Sequence, residues 1–417
     1  MSRAGWKLTT LGQHCEIFSG YPFKSHGYTD DPGDIPLVKG ENIGQGEVLW
    51  EISKRWPIQD MDELDRYKLI EGDVVLAMDR PWVPAGLKFA KITATAPQAL
   101  LVQRVARLRV RQGLDQSFLA QLIASPNFVG YVQSVCRGVG VPHISGKEIG
   151  SFEFFVPSLV EQEKIASILS AYDDLIDNNR RRMALLEDSA RQLYREWFVR
   201  LRFPGHEHTP IVDGVPQGWR KVPLAQITSK IGSGATPKGG EAAYQLEGVT
   251  LIRSMNVYDD LFDDAGLAFL NDDQAAGLAN VVVEPNDILL NITGASVARC
   301  CMAPERYLPA RVNQHVMIIR VDPKKASPFF VHKAVNSDEC KRLLLSFARK
   351  GSTREALTKE EMANFEITIP TSALMEQFGE IAADAYAQRE GLAKQNQKLR
   401  QARDLLLPRL MSGELIV

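Results

Sequence analysis

Residues 159–204, LVEQEKIASILSAYDDLIDNNRRRMALLEDSARQLYREWFVRLRFP, are the stretch of this 417-residue sequence that decides its fold. Apolar residues recur along it in steps of three and four or their multiples, the spacing of one helix face. They are Ile168, Tyr172, Leu175, Leu186, Ala190, Leu193 and Trp197. We interpret the stretch as one long helix with a coiled-coil seam, interrupted by a stutter at Asn179 and Met183. At about 1.5 Å per residue, some 40 residues of helix make a rod of roughly 60 Å.

So narrow an apolar stripe needs a partner, and a second run from Glu376 to Met411 supplies one. Its apolar residues have the same kind of spacing. They are Phe378, Ile381, Ala385, Leu392, Leu399, Leu406 and Leu410. We predict that the two helices pair as an antiparallel coiled coil with pseudo-twofold symmetry, with Asn179 at the seam fixing their register.

The rest of the chain is also built twice. Asn256 lies 214 positions after Asn42, and Asp287 lies 214 positions after Asp73. The segments around these residues match and are predicted strands, whereas the segments that differ are predicted loops. Residues 99–110, ALLVQRVARLRV, are predicted as one long strand, and residues 118–136 as a helix. A register held over most of each copy indicates a tandem duplication.

The predicted fold class is therefore α+β, a duplicated α+β unit that carries a long helix in each copy. We predict five segments: a first globular unit, a central helical region, a linker rich in Pro and Gly, a second globular unit and a C-terminal helical region. Their bounds are 1–157, 158–203, 204–218, 219–370 and 371–417.

Composition excludes several classes of protein. The chain has 49 Lys and Arg against 51 Asp and Glu, so a nucleic-acid surface would need its positive charge concentrated locally. Five cysteines without a C-x-x-C pair predict reduced thiols and no metal site, and His206 and His208 are interpreted as loop residues. No apolar run has the length of a membrane span and no signal peptide opens the chain, which predicts a cytoplasmic protein without a membrane partner.

Four motifs carry a resemblance to a known family. They are NNRRRMALLEDSARQLYREWFVRLRFPGHE (178–207), GVPQGWRKVPL (214–224), RDLLLPRLMSGEL (403–415) and GVPHISGKEIGSFEFFVPSLVEQEKI (140–165). Together they resemble the specificity (S) subunits of Type I restriction-modification systems, and the resemblance spans Trp6 to Leu415.

The resemblance implies a function without catalysis in this chain. Each globular unit would be a target-recognition domain that reads one half of a bipartite, asymmetric site in double-stranded DNA. The helices would set the spacer between the halves and bind two modification subunits. Those subunits would use S-adenosylmethionine to methylate adenine, and the complex can add restriction subunits, which are ATP-dependent endonucleases. No cofactor is expected in this chain.

Candidate DNA-binding residues follow from the chemistry of base reading, which uses Arg or Lys for guanine and Asn or Gln for adenine. In the first unit they are Lys24, Lys39, Asn42, Arg80, Trp82, Arg137, His143, Ser145 and Lys147. In the second unit they are Thr236, Lys238, Arg253, Asn256, Arg299, Asn313, Gln314, Arg349, Ser352, Thr353 and Arg354. For any one of them, a solvated loop or turn residue is an equal alternative. The glycine-containing segment 138–147 and its counterpart 350–361 are the favoured contact loops.

Tyr194, Trp197 and Phe198 exceed what a narrow seam needs and are candidates for the interface with a modification subunit. Trp6 and Trp219 are interpreted as core anchors.

Two alternatives from other classes stay open. A coiled-coil scaffold that does not bind DNA is compatible with the near-neutral charge. A nuclease would need a site such as Glu305, Asp322 and Lys324, but a strand-end turn is the favoured interpretation of Asp322-Pro323-Lys324. The sequence contains no Gly-rich cofactor loop after a strand, no Walker lysine and no Asn-Pro-Pro-aromatic motif.

Overall fold

The computed structural model describes residues 5–60, 62–83, 85–136, 142–237, 239–350 and 356–417. By their internal contacts, these residues form two compact units. The first comprises Met1–Asp177 and Gln397–Val417, and the second comprises Asn178–Asn396. Each unit therefore contains one globular α+β domain and a segment of each long helix. The predicted fold class, with its duplicated α+β unit, is confirmed.

In the first unit, a five-stranded and a three-stranded sheet form the centre of the domain. The strands are β1 Lys7–Thr10, β2 Cys15–Ser19, β3 Ile35–Val38, β4 Gln45–Gly46, β5 Arg55–Trp56, β6 Val74–Ala77, β7 Trp82–Val83, β8 Gly86–Leu87, β9 Phe89–Lys91, β10 Leu100–Leu101, β11 Val105–Val110 and β12 Glu153–Val156. The larger sheet has the order β2-β11-β6-β9-β4, and the smaller has the order β10-β3-β5. Strand β11 is antiparallel to both of its neighbours.

The helices of this domain are α1 Leu11–His14, α2 Gln116–Ala124, α3 Pro126–Val135 and α4 Gly146–Gly150. The segment 118–136 is helical as predicted, but it is divided into the two helices α2 and α3. Ser125 has an extended backbone and accepts a hydrogen bond from the Phe128 amide, so it caps a new helix with Pro126 in its first turn. The domain core continues onto the long helices through Ile165, Leu169 and Leu410.

The long strand predicted for residues 99–110 is wrong. Strand β10 pairs with β3 in the smaller sheet, whereas β11 lies in the larger sheet. Between them, Arg104 has a φ of 65°, a left-handed conformation that ends one strand before the next begins.

The second unit repeats this arrangement with two four-stranded sheets. Its strands are β13 Ile211–Val212, β14 Val215–Pro216, β15 Arg220–Pro223, β16 Thr228–Ser233, β17 Val249–Ile252, β18 Val257–Tyr258, β19 Leu261–Phe262, β20 Ala268–Leu270, β21 Val282–Val283, β22 Ile288–Asn291, β23 Cys300–Met302, β24 Ala310–Val312, β25 Val316–Val321 and β26 Glu366–Ile369. The sheets have the orders β16-β25-β22-β23 and β20-β17-β24-β21. The predicted linker contains the small hairpin of β13 and β14.

The long helices are α5 Leu159–Tyr194, which continues into a π-helical turn at Arg195–Val199, and α11 Ser372–Met411. The remaining helices of the second unit are α6 Leu224–Ile227, α7 Asp272–Gly277, α8 Pro328–Val335, α9 Asp338–Lys350 and α10 Lys359–Asn364.

The predicted phase of the α5 seam was wrong in its first half. Ile168 is 38% exposed and Leu175 is 52% exposed, whereas Leu169 and Ile176 are buried. With the buried residues as the seam, steps of four and three alternate from Ile165 to Trp197 without a break. The stutter predicted at Asn179 and Met183 is therefore absent from this helix. Likewise Ile381 on α11 is exposed and its neighbour Ala382 is buried.

The two helices run antiparallel within the second unit. Asn179 of α5 bonds to Asn396 of α11, and farther along α5 Glu187 bonds to the earlier residue Arg389. In the first unit, the carboxylate of Asp173 accepts a hydrogen bond of 2.7 Å from Arg403. The predicted antiparallel pairing is confirmed.

Within the described ranges, no helix is both long and apolar enough to cross a membrane. The same residues contain no cluster of three or more His, Cys, Asp or Glu side chains suited to a metal ion.

Candidate nucleic-acid interface

A two-residue turn, Gln103-Arg104, joins the two sheets of the first unit between β10 and β11. Gly20, which directly follows β2, lies against this turn, and its amide donates to the Val105 carbonyl at 3.2 Å. A Cβ atom at Gly20 would overlap the backbone of Leu101 and Val102. Only glycine allows this close approach, so the backbone of the turn is held tightly in place.

The second unit builds the same turn from Gln314-His315, between β24 and β25. Gly234 follows β16, and its amide donates to the Val316 carbonyl at 3.3 Å. A Cβ atom at Gly234 would overlap the Val312 carbonyl.

Three further segments meet the turn of the first unit. The Val102 amide donates to Val38 at the end of β3, at 3.1 Å, and the Arg104 carbonyl accepts from Met78 beyond β6, at 2.8 Å. The Met78 carbonyl in turn accepts from Ile144 in the loop before α4, at 2.9 Å. The ends of β2, β3 and β6 and this loop therefore converge on Gln103-Arg104.

The backbone of the second unit repeats these three hydrogen bonds. Asn313 donates to Ile252 at 3.0 Å, Ile292 donates to His315 at 3.0 Å, and Leu357 donates to Ile292 at 2.8 Å. We call each constellation a turn site. The first turn site comprises residues 20–24, 39, 79–80, 103–104 and 142–147. The second comprises residues 234–236, 253, 293–294, 314–315 and 356–361.

In the first turn site, an exposed arginine is oriented by an acid. Arg104 donates to both carboxylate oxygens of Asp79, at 3.1 and 2.8 Å, and its side chain is 65% exposed. The Nδ1 atom of His143 lies 2.6 Å from the same carboxylate. Partial burial raises the pKa of Asp79, but the hydrogen bonds from His143 and Arg104 outweigh it and hold that pKa below its usual value.

In the second turn site the corresponding side chains are uncharged or weakly basic. The hydroxyl of Thr293 lies 2.6 Å from Nδ1 of His315, and the amide nitrogen of Gln314 lies 2.9 Å from Nε2 of the same ring. The two turn sites therefore share a backbone and present different chemistry.

Each contact loop is anchored by a capping box at the start of its short helix. Ser145 and Glu148 form the box of α4, and Thr358 and Glu361 form the box of α10. Hydrogen bonds from the hydroxyl and the amide of Ser145 lower the pKa of Glu148. Because the Ser145 hydroxyl is committed to this cap, Ser145 positions the loop and is not a free contact residue.

The turn sites bring together many of the predicted residues. The exposed ones are Lys24, Arg80, His143, Lys147, Thr236 and Gln314. Exposed Arg349 lies near the end of α9, before the second loop.

Other predicted residues are partly engaged. Lys39 bonds to Glu41 and lies over the Tyr28 ring, and Arg253 bonds to Gly266 and lies over the Tyr244 ring. Two further predicted residues lie in hairpins. Trp82, which is 39% exposed, lies in the hairpin after β6, and Arg299, which lies over the Tyr258 ring, lies in the hairpin after β22.

Three asparagines that were predicted to contact DNA are buried. Their prediction as contact residues is therefore corrected. Asn42 is 1% exposed, and its side chain bonds to the backbone at Lys39 and Leu37. Asn256 is fully buried and bonds to the backbone in the same way. Asn313 is 8% exposed and accepts from the His315 amide, so it shapes the second turn. These amides stabilise loops.

Five predicted residues lie outside the described residues: Arg137, Lys238, Ser352, Thr353 and Arg354. Residues 138–141 and 351–355 of the two favoured segments lie outside them as well.

The three aromatic residues predicted for a partner interface pack inside the second unit. Trp197 is 9% exposed, and the rings of Tyr194 and Phe198 contact those of Phe330 and Phe378. These rings fill the core between α5, α8 and α11. We therefore do not propose them as the interface with a modification subunit.

Known proteins of one family are similar to this chain. The family model for the Type I restriction modification DNA specificity domain matches residues 3–188. A Type I restriction enzyme MjaIX specificity subunit from Methanocaldococcus jannaschii is 25% identical over 316 residues, 74% of this chain and 71% of that protein. These matches support a specificity subunit of a Type I restriction-modification system.

Two further proteins are similar to this chain. The EcoAI specificity subunit of Escherichia coli is 32% identical over 173 residues, which cover 41% of this chain and 28% of that protein. The crystal structure of a Type-I restriction-modification system S subunit from M. genitalium superimposes with a TM-score of 0.55 at 14% identity, over 97% of this chain and 96% of that one. At this identity the second likeness concerns the fold alone.

The range matched by the family model contains the whole first turn site. The second turn site lies beyond residue 188 and is recognised by its repeated backbone hydrogen bonds.

Sequence reasoning missed five residues of the turn sites: Asp79, Gln103, Arg104, Thr293 and His315. Their signal was present. The loop after Asp79 is three residues longer than its counterpart, so the offset between the copies falls from 214 to 211. With that offset, QRVARLRV (103–110) aligns with QHVMIIRV (314–321).

Proposed function

We propose that this chain is the DNA sequence-specificity subunit of a Type I restriction-modification complex. Each unit reads one half of a bipartite, asymmetric site with its turn site. The paired helices set the spacer and bind two modification subunits, which supply S-adenosylmethionine and methylate adenine. Restriction subunits that cut DNA with ATP add to this assembly.

The proposal rests on a backbone arrangement, which we call the frame, that is the same in both turn sites. The side chains presented on this frame differ between the two units. Residues that build the frame are the same in both units: Gly20 and Gly234, Asn42 and Asn256, Asp73 and Asp287, and Arg109 and Arg320. In both units, for example, the arginine of the central strand bonds through two nitrogens to the buried aspartate.

The positions on this frame that are at least partly exposed differ between the units. Asp79 corresponds to Thr293, Arg80 to Gly294, Arg104 to His315 and His143 to Ala356. Sequence is read by side chains that bond to base edges, and two readers of different half-sites need different side chains at matching places. A pure scaffold has no use for such a pattern.

The local charge of the first turn site supports contact with DNA. Lys24, Arg80, Arg104 and Lys147 are all exposed there, although the chain as a whole is slightly acidic. Positive side chains clustered on convergent loops would bind phosphates and position the base-reading residues.

The catalytic step is assigned to the modification subunits and not to this chain. The segment considered as a nuclease site fits the strand-end turn, because the Asp322 carboxylate accepts a hydrogen bond of 3.1 Å from the Lys324 amide directly after β25.

The test is to express the chain with the modification subunit encoded beside it and to map methylated adenines across the host genome by single-molecule sequencing. We expect a bipartite motif with a fixed gap that disappears when this chain is omitted. Methylation that persists unchanged without the chain would contradict a specificity role and favour a scaffold.

A further inference from the structure

One exposed side chain departs from the pattern of variable positions. Gln103 and Gln314 occupy the first place of the two turns and are the same residue, although their neighbours Arg104 and His315 differ. Both glutamines are exposed. Their identity therefore has to be explained by the frame or by a shared ligand.

The frame does not use these side chains. The backbone amide of Gln103 donates to the Tyr21 carbonyl at 2.8 Å, an interaction that any residue except proline can make. Within the described part of the chain, its side-chain amide makes no hydrogen bond. In the described part of the second unit, the Gln314 amide nitrogen contacts the adjacent His315 ring, and its oxygen is left to accept.

The backbone beneath both glutamines is held by the close approach of Gly20 and Gly234. A base-reading side chain needs such a fixed starting point, because a displacement of about 1 Å breaks a two-point contact. In the first unit, Arg104 and Arg80 lie in the same turn site and are exposed, so a phosphate backbone can be bound next to the glutamine.

A glutamine amide offers one donor and one acceptor side by side. This pair matches the N6 amino group and the N7 atom of adenine in the major groove, and no other base presents that combination there. We infer that Gln103 and Gln314 each read the adenine of an A·T base pair, at corresponding places in the two half-sites. This inference rests on the proposed function, and it deepens that function by naming a base that both half-sites share.

The neighbouring positions would then account for the difference between the half-sites. Arg104, oriented by Asp79, is suited to a guanine or a phosphate next to the shared adenine. His315, bonded to Thr293, presents an imidazole ring at the place where the first unit has the guanidinium group of Arg104.

The first experiment uses the complex of the full chain with its modification subunits. For Gln103→Ala, we expect discrimination at one A·T pair of the first half-site to fall by about 5- to 150-fold, while the second half-site stays unchanged. Gln314→Ala should have the same effect on the second half-site alone. Gln112→Ala is the matched control, because Gln112 is an exposed glutamine beyond the opposite end of β11.

A second experiment removes the acceptor from the DNA. With 7-deazaadenine at the identified position, N7 becomes a C–H group, so binding by the wild-type complex should weaken while binding by the Gln103→Ala complex does not change further. 7-Deazaadenine at another adenine of the same half-site serves as the control.

Three results would overturn the inference. They are a uniform loss of affinity for all sequences, which would indicate a phosphate contact; no change relative to Gln112→Ala; and equal sensitivity of wild type and variant to 7-deazaadenine. In each case wild-type methylation at a bipartite site would still support the proposed function, whereas a wild-type complex without sequence preference would remove both.

Discussion

The side-chain amide of Asn179 donates a hydrogen bond of 2.9 Å to the amide oxygen of Asn396, and both residues are buried in the seam between α5 and α11. An apolar seam alone tolerates sliding by one heptad. A buried polar pair does not, because a shifted register leaves both amides against apolar neighbours. The predicted role of Asn179 in fixing the register therefore has a partner on the other helix.

Replacement of one or both asparagines should show how much this hydrogen bond contributes to stability. Asn179→Leu alone removes the donor to Asn396 and should lower the free energy of unfolding by about 1–3 kcal/mol. The double variant Asn179→Leu/Asn396→Leu should recover most of that loss, because two leucines pack in a seam. Urea denaturation followed by circular dichroism measures both. A double variant as unstable as the single one would contradict the pairing.

Each globular domain is joined to the helices by a polar three-way contact. In the first unit, Gln121 of α2 and Arg403 of α11 both bond to Asp173 of α5. In the second unit, Lys333 of α8 and Arg389 of α11 both bond to Glu187 of α5. Burial raises the pKa of Glu187 even though these cations lie beside it.

The two contacts should differ in their cost of disruption. Lys333→Met removes a buried charge that also bonds to Asp260 at 2.8 Å, so two carboxylates lose a partner, and we expect a loss of about 3 kcal/mol or more. The matched change Gln121→Met removes one neutral donor and should cost about 1 kcal/mol. Calorimetry of both variants tests this. Equal losses would show that the charge of Lys333 is unimportant.

His332 predicts a dependence of stability on pH. Burial, with the nearby Lys333, lowers the pKa of His332 to about 3. Below about pH 6.5 the unfolded chain binds a proton at this residue and the folded chain does not, so folding becomes less favourable as the pH falls. The groups that face His332, Asp260, Lys333 and Arg389, contribute their own dependence.

The comparison of wild type with His332→Gln isolates this residue. Between pH 6.5 and 5, wild type should lose about 1.6 kcal/mol of stability relative to the variant, with the slope approaching about 1.4 kcal/mol per pH unit at the acid end. Denaturant titrations at three pH values give the difference. Parallel pH curves would mean that His332 is not buried in its neutral form.

Unit-specific variants should act on one half-site each. Arg104→Ala removes the exposed cation held by Asp79 and should relax specificity in the first half of the motif only. His315→Ala should do so in the second half only. Methylation maps of the two variants test this prediction. A variant that changes both halves equally would contradict independent reading by the two units.

The sequence predicts this structure best where the same residues occur at corresponding positions of the two copies. The matches of Asn42 with Asn256 and of Asp73 with Asp287 located the strands, because buried polar residues that support turns are fixed by the backbone. The function of those asparagines was misjudged for the same reason. An asparagine that stabilises a loop and an asparagine that contacts a base are the same letter in a sequence.

Other errors have similar physical causes. Ile168 and Leu175 are apolar and exposed, so periodicity alone chose the wrong phase of the seam, whereas burial against α11 selects Leu169 and Ile176. The turn at Gln103-Arg104 was hidden within an apolar run because no glycine or proline marks it. The glycine that makes it possible, Gly20, lies more than 80 residues earlier.

The proposed function requires that one chain carry two readers separated by a helical spacer. Insertion of one heptad into α5 between Asp177 and Asn178, with a matching heptad in α11 between Asn396 and Gln397, tests it most directly. The added seven residues correspond to about 10 Å of helix, or roughly three base pairs of DNA. Methylation mapping of this variant with its modification subunit should show both half-sites unchanged and a gap longer by about three base pairs. An unchanged gap with full activity, or altered half-site sequences, would contradict the account.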